Sequence, residues 1–134
     1  MDNHAKTKLG DNAKRVLIVE DNPLVQKAMS RIFKKRGFEV NVTDTGYEAM
    51  TLYKHYDYDF ILLDFGLPDL SGSEVAQLIR KYEYKYLYPR CPIAICAAFM
   101  DSAQKEECFA AGANWVYQKP LTAEIMVQIE ARLK

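Results

Sequence analysis

Short apolar runs alternate with stretches of helical period along almost the whole chain. Arg15–Glu20 (RVLIVE), Phe38–Val42, Phe60–Asp64 (FILLD), Pro92–Cys96 and Trp115–Gln118 are the apolar runs, each bounded by turn residues. Runs of this kind predict strands; the uninterrupted Phe60–Leu63 run predicts a strand buried on both faces of a sheet, and Phe38–Val42 sets Val40 and Val42 on one face. Between them, apolar residues recur three and four positions apart, which predicts helices. The first helix carries Leu24, Val25, Ala28, Met29, Ile32 and Phe33, follows Asn22-Pro23 and stops at Gly37. Asn22 suits an N-cap and proline suits a first turn. The second follows Asp44-Thr45-Gly46 and presents Ala49, Met50, Leu52 and Tyr53. The third starts near Ser71–Ser73 with Val75, Ala76, Leu78 and Ile79 as its core side. The fourth has Ser102 as its expected N-cap, Cys108, Phe109 and Ala111 as its buried side, and Gly112 as its stop. The last is capped by Thr122, with Ile125, Met126, Ile129 and Leu133 at core spacing.

Strands alternating with helices through short connections predict an α/β domain with a parallel sheet covered on both faces. Right-handed crossovers leave few topologies. The one that suits this length is a single flavodoxin-like doubly wound domain, a five-stranded parallel sheet in the order 2-1-3-4-5 with five helices. It spans residues 15–134, preceded by a polar, unpatterned segment, 1–14, read as a flexible N-terminal segment or linker. One segment does not fit the plan. Lys81–Arg90 carries Tyr82, Tyr84, Tyr86 and Tyr88 at every second position. It is expected to be a lengthened connection whose rings pack on the surface, with a partner-binding patch as the alternative. Continued helix would pair Tyr82 with Tyr86 and Tyr84 with Tyr88; a loop or strand would put all four on one side.

Composition narrows the function. Eighteen basic and eighteen acidic residues give a formal net charge of zero, which argues against direct nucleic-acid binding. No apolar run is long enough to span a bilayer, and the N-terminus lacks the apolar core of a signal peptide. The expected setting is cytoplasmic, with no membrane contact by this domain. Three cysteines, Cys91, Cys96 and Cys108, form no CxxC pair and are expected to be free thiols in or near the core. His4 and His55 lie in polar segments with no nucleophile beside them in sequence.

The chemistry lies at the ends of the predicted strands. Strand one ends in Glu20-Asp21 and strand three in Asp64. The 2-1-3-4-5 order sets those two strands side by side, so the three carboxylates meet at the carboxyl edge, where open α/β sheets build ligand sites. Clustered carboxylates need compensation. A hard divalent cation such as Mg²⁺ supplies it with oxygen ligands. Lys119, at the end of strand five, brings a positive charge to the same edge. A metal and an ammonium around one carboxylate describe a site for a phosphoryl group, with Asp64 as a nucleophile forming an aspartyl-phosphate. A Walker-type nucleotide site is excluded, because no glycine-rich phosphate loop is present.

Three motifs, VLIVEDN at Val16–Asn22, ILLDFGLPDLSG at Ile61–Gly72 and Lys119-Pro120, make the chain resemble a receiver domain of two-component response regulators. The GLPDLSG wording is similar to receivers carried by hybrid sensor histidine kinases. The resemblance implies that Asp64 is the phosphoacceptor in self-catalysed phosphorylation and dephosphorylation. It implies that Asp21 and Asp64 bind Mg²⁺ with Glu20 beside them and the Gly66 carbonyl completing the set, and that Lys119 pairs with the phosphoryl group. The implied partner is a histidine kinase or a histidine phosphotransfer domain; homodimerisation is left open. Two positions depart from the family pattern. The switch hydroxyl at the end of strand four falls on Ala97, and the switch aromatic of strand five on Val116, with Trp115 and Tyr117 expected to point the other way. Ala98 keeps the small residue next to the phosphate. The competing reading is a pseudo-receiver, a phosphorylation-independent protein-binding module.

Overall fold

A computed structural model describes residue 6 and residues 14–133. Most of the 1–14 segment therefore lies outside the described residues. The elements run β1 (Lys14–Val19), α1 (Pro23–Lys35), β2 (Phe38–Thr43), α2 (Gly46–His55), β3 (Phe60–Asp64), α3 (Gly72–Tyr86), β4 (Ile93–Ala97), α4 (Ser102–Ala110), β5 (Trp115–Gln118) and α5 (Ala123–Arg132). All strand pairings are parallel, in the order β2-β1-β3-β4-β5. This is the expected doubly wound, flavodoxin-like architecture.

Alternate residues of each central strand feed two cores. Leu17, Val19, Ile61, Leu63, Ile93 and Ile95 pack with residues of α2, α3 and α4 on one face. Val16, Ile18, Phe60, Leu62, Ala94 and Cys96 pack with α1 and α5 on the other. β3 and β4 are buried along their full length, which is why both read as uninterrupted apolar runs.

Helix starts are set by side-chain caps. Asn22 and Thr122 cap their helices as expected, the Asn22 side chain accepting from the amides of Leu24 and Val25, and the structure adds Thr45 as the cap of α2. The fourth helix departs from expectation. Its N-cap is Asp101, not Ser102, and Asp101 and Gln104 form a reciprocal capping box. A carboxylate there accepts an amide hydrogen bond and also complements the helix dipole. Leu78 and Phe109, expected in the core, are 39% and 51% exposed. Their helices bury narrower stripes than the apolar pattern implied; α4 buries only Cys108 among the described residues.

The tyrosine segment is also resolved differently. It is not a lengthened connection: α3 continues through Tyr86. Tyr82 and Tyr86 pair as helical spacing requires, with ring centroids 4.8 Å apart. Tyr84 is 87% exposed. Leu87 ends the helix at φ +59°, and this left-handed turn folds Tyr88 back to stack on Tyr82 at 5.8 Å.

Candidate functional site

Glu20, Asp21 and Asp64 meet at the carboxyl edge of β1 and β3. Each offers an oxygen within 4.8 Å of the others'. Glu20 and Asp64 are buried and Asp21 is exposed, so the cluster has one open side. Glu20 is held from several directions. Its amide donates to the Thr43 carbonyl (2.9 Å), its Oε2 accepts from the Asn22 amide (3.0 Å), and its carbonyl accepts from the Gln26 side chain (2.5 Å).

Lys119 joins the cluster from the far side of the sheet. Its Nζ lies 2.9 Å from Asp64 Oδ1 and 2.5 Å from Glu20 Oε1. Burial pulls the Lys119 ammonium toward neutrality, but the hydrogen bonds and charges of Glu20 and Asp64 outweigh it, and its pKa is raised. The ammonium is therefore firmly charged. The backbone fixes where it stands, since the Lys119 amide donates to the Ala97 carbonyl (2.8 Å) and the Phe65 amide to the Cys96 carbonyl (2.8 Å). Beside the site runs an apolar cleft of about 230 Å³, walled by Leu24, Val25, Ala28, Met29 and Leu121. Such walls exclude water and strengthen charge interactions at the rim.

Three carboxylates against one ammonium leave an excess of negative charge on hard oxygen donors, one side open to solvent. This donor set fits a divalent cation that keeps part of its water shell. Gly66 lies in the exposed loop after β3, joined to Ser71 by an antiparallel bridge. Ala97 is buried at the end of β4 and carries no donor. Val116 packs on the α2–α4 core, whereas Trp115 and Tyr117 pack on the opposite core, as strand alternation requires.

Asp69, in the loop after β3, and Gly72, the first residue of α3, hold this edge together in ways the sequence did not assign. Asp69 accepts from the amides of Gly46 (2.8 Å), Tyr47 (2.8 Å) and Leu70 (2.9 Å). It ties the Gly66–Ser71 loop to the start of α2. Slight desolvation raises its carboxyl pKa, but these backbone hydrogen bonds dominate and lower it. Gly72 opens α3 against the end of β3: a Cβ there would stand 2.6 Å from the Asp64 carbonyl oxygen. The Asp-Leu-Ser-Gly order was the available signal, but nothing local says that a glycine must touch a strand end.

The fold and site define a doubly wound α/β domain with an acid–lysine edge. Residues 16–130 match the response regulator receiver domain family. The chain belongs to that family, and so to the proteins of two-component signalling. It is 36% identical over 113 residues to the cell cycle transcriptional regulator CtrA of Caulobacter vibrioides, covering 84% of this chain and 47% of that protein. The Brucella ovis cell cycle response regulator CtrA is also 36% identical, over 118 residues, 87% of this chain and 49% of that one. The chain thus spans about half the length of these curated relatives. Among solved structures, a CheY-like receiver from Methanospirillum hungatei JF-1 superposes with a TM-score of 0.82 at 22% identity, covering 91% of this chain and 94% of that one. That likeness concerns the fold. The receiver domain of sensor histidine kinase PA1611 from Pseudomonas aeruginosa PAO1 superposes with a TM-score of 0.79 at 30% identity, covering 90% and 97%. It was solved with a magnesium ion coordinated in its active-site cleft.

Proposed function

We propose that this chain is a working phosphoacceptor, with Asp64 as the acceptor. The observation that carries the reading is the contact of the Lys119 ammonium with Asp64, 2.9 Å away, inside a cluster of acids. The donor is a phosphohistidine on a histidine kinase or histidine phosphotransfer domain. An Asp64 oxygen attacks phosphorus in line, the P–N bond breaks, and its electron pair returns to the imidazole. The product is an aspartyl-phosphate. Lys119 meets the charge on the phosphoryl oxygens and orients them. Water regenerates Asp64 and releases inorganic phosphate.

Glu20, Asp21, Asp64 and the Gly66 carbonyl are the residues proposed to hold Mg²⁺. When bound, the ion neutralises charge on the transferring group. The magnesium in the PA1611 receiver supports this assignment, since that domain shares 30% identity with this chain. The same likeness supports a place beside the receivers of hybrid sensor kinases. Among the described residues no helix is long and apolar enough to cross a membrane, which is consistent with the proposed cytoplasmic setting.

The switch is atypical. A hydroxyl at position 97 would give the phosphoryl group one more hydrogen bond, and losing a bond to a charged group costs about 1.5–3 kcal/mol. Alanine therefore slows transfer without forbidding it. With Val116 in place of an aromatic, the conformational response at β4 and β5 is weaker or differently wired.

The test is the intact mass after incubation with Mg²⁺ and a small acyl phosphate. One phosphate adduct is expected, absent in Asp64→Asn and lost with chelator. Failure with the small donor and also with phosphorylated kinase or phosphotransfer protein, while Mg²⁺ still binds, would replace this reading with the pseudo-receiver.

A further inference from the structure

At the opposite end of the sheet, three tyrosine rings surround an ammonium group. Lys6 Nζ stands 3.2 Å from the centroid of the Tyr53 ring, 4.8 Å from that of Tyr88 and 5.7 Å from that of Tyr82. The rings are held in different planes. Tyr53 meets Tyr82 edge-on at 78°, and Tyr88 lies parallel to Tyr82 within 10°. Tyr53 and Tyr88 line a cavity of about 380 Å³ together with Lys6 itself, Asp57, Cys91, Arg90 and Arg132, and Tyr82 stacks on Tyr88.

The rings do not sit there by accident of surface packing. Tyr53 is 1% exposed, and its hydroxyl donates to Glu83 Oε2 (2.6 Å). Glu83, itself 3% exposed, also accepts from Arg80 Nη1 (2.8 Å) and from the Cys91 amide (2.8 Å). A buried carboxylate with all these donors locks the first ring and the chain entering β4. The left-handed Leu87, 89% exposed and not a glycine, turns Tyr88 onto Tyr82. A left-handed backbone is strained for leucine, and surrounding structure must offset that strain. Rigid rings in different planes, with carboxylates behind them, form the arrangement that binds ammonium groups through their negative faces.

We propose that Tyr53, Tyr82 and Tyr88 form an ammonium-recognition cage whose resident occupant is the chain's own Lys6. The cage lies at the amino-terminal ends of β3 and β4, whereas Asp64 lies at the carboxyl end of β3, so the two sites are separate. Its ligand class is an alkylammonium, matched by charge and by the ring faces. Burial lowers the Lys6 pKa to about 8, opposed by Asp57, Cys91 and Glu83; the group is still mostly charged at neutral pH. Acetylation of Lys6, which removes the charge, abolishes its hold on the rings.

The test uses the full chain, isotopically labelled, by NMR. In the wild type the Lys6 ε-methylene protons should resonate upfield of those of the other lysines, shifted by the ring faces. Tyr88→Leu, at a half-buried position, should reduce that shift. Lys6→Gln should perturb the amides around Tyr53, Tyr82 and Tyr88, and Lys6→Arg should leave them closer to wild type. Tetramethylammonium should then bind the cage of Lys6→Gln about tenfold more tightly than that of the wild type, equivalent to about 1.4 kcal/mol. Its uncharged counterpart tert-butanol should not bind. Lys6 protons resonating with the other lysines would overturn the assignment of the occupant. Equal response to tert-butanol, or none to tetramethylammonium, would overturn the ammonium cage.

Discussion

Replacing Gly72 by alanine should displace the acceptor carboxylate without touching it. The added Cβ would lie 2.6 Å from the Asp64 carbonyl oxygen, 3.0 Å from Phe65 Cα and 3.2 Å from the Asp64 carbonyl carbon. All three are backbone atoms, so no side chain can swing aside. The end of β3 and the start of α3 must part by about 0.8 Å to reach an ordinary contact of 3.4 Å. Overpacking of this kind costs about 1–3 kcal/mol. Restricting the unfolded chain returns about 0.4–1 kcal/mol, so a net loss of about 1–2 kcal/mol is expected. On the proposed function the rate should suffer more than the stability, because a misplacement near 1 Å can cost about a hundredfold. Urea denaturation measures the first and adduct formation with a small acyl phosphate the second. Gly66→Ala is the control: its Cβ meets nothing within 4 Å, and its stability should stay within about 0.5 kcal/mol of wild type. If Gly72→Ala equals Gly66→Ala in stability and wild type in rate, the close approach does not position Asp64 and the reasoning fails.

Other consequences can be checked separately. Glu83→Ala removes the acceptor for Arg80, Tyr53 and the Cys91 amide and should lower the unfolding free energy by about 3–5 kcal/mol; a loss below 1 kcal/mol would show that water replaces the carboxylate. Burial pushes the Cys96 thiol up to about 12 and the Cys108 thiol to about 11, and raises Cys91 as well. Native protein should therefore resist alkylation at pH 8, whereas the urea-unfolded chain takes three labels. The same shifts set a pH dependence. Unfolded thiols ionise near 9.0 while the folded ones stay neutral, so these groups contribute fully below pH 9 and stability should fall as pH rises above it. Flat stability from pH 8 to 10.5 would contradict that burial. Ala97→Thr should speed formation of the Asp64 adduct by about tenfold or more, from the restored hydrogen bond; no change in rate or in response would remove the missing hydroxyl from the explanation.

The hydrophobic pattern determined the strands, their parallel order and the edge where Glu20, Asp21, Asp64 and Lys119 meet. These follow from short-range facts: strand period, turn residues, and the few ways right-handed crossovers can be wound. The same local logic placed the caps at Asn22 and Thr122. It failed for Ser102 because Asp101, one residue earlier, offers a stronger acceptor and pairs with Gln104. It failed for Leu78 and Phe109 because an apolar spacing cannot tell how wide a stripe the neighbouring elements cover. What only tertiary structure decided involves groups distant in sequence. Gly72 must be glycine because a strand end passes within contact distance, and Asp69 acts on the start of another helix. Tyr53, Tyr82, Tyr88 and Lys6 form one site only because Leu87 reverses the chain after α3 and Glu83 is buried beneath the rings. Alternating tyrosines looked like a surface connection, since no local rule carries the position of a ring supplied by another helix or of an ammonium supplied by the N-terminal segment.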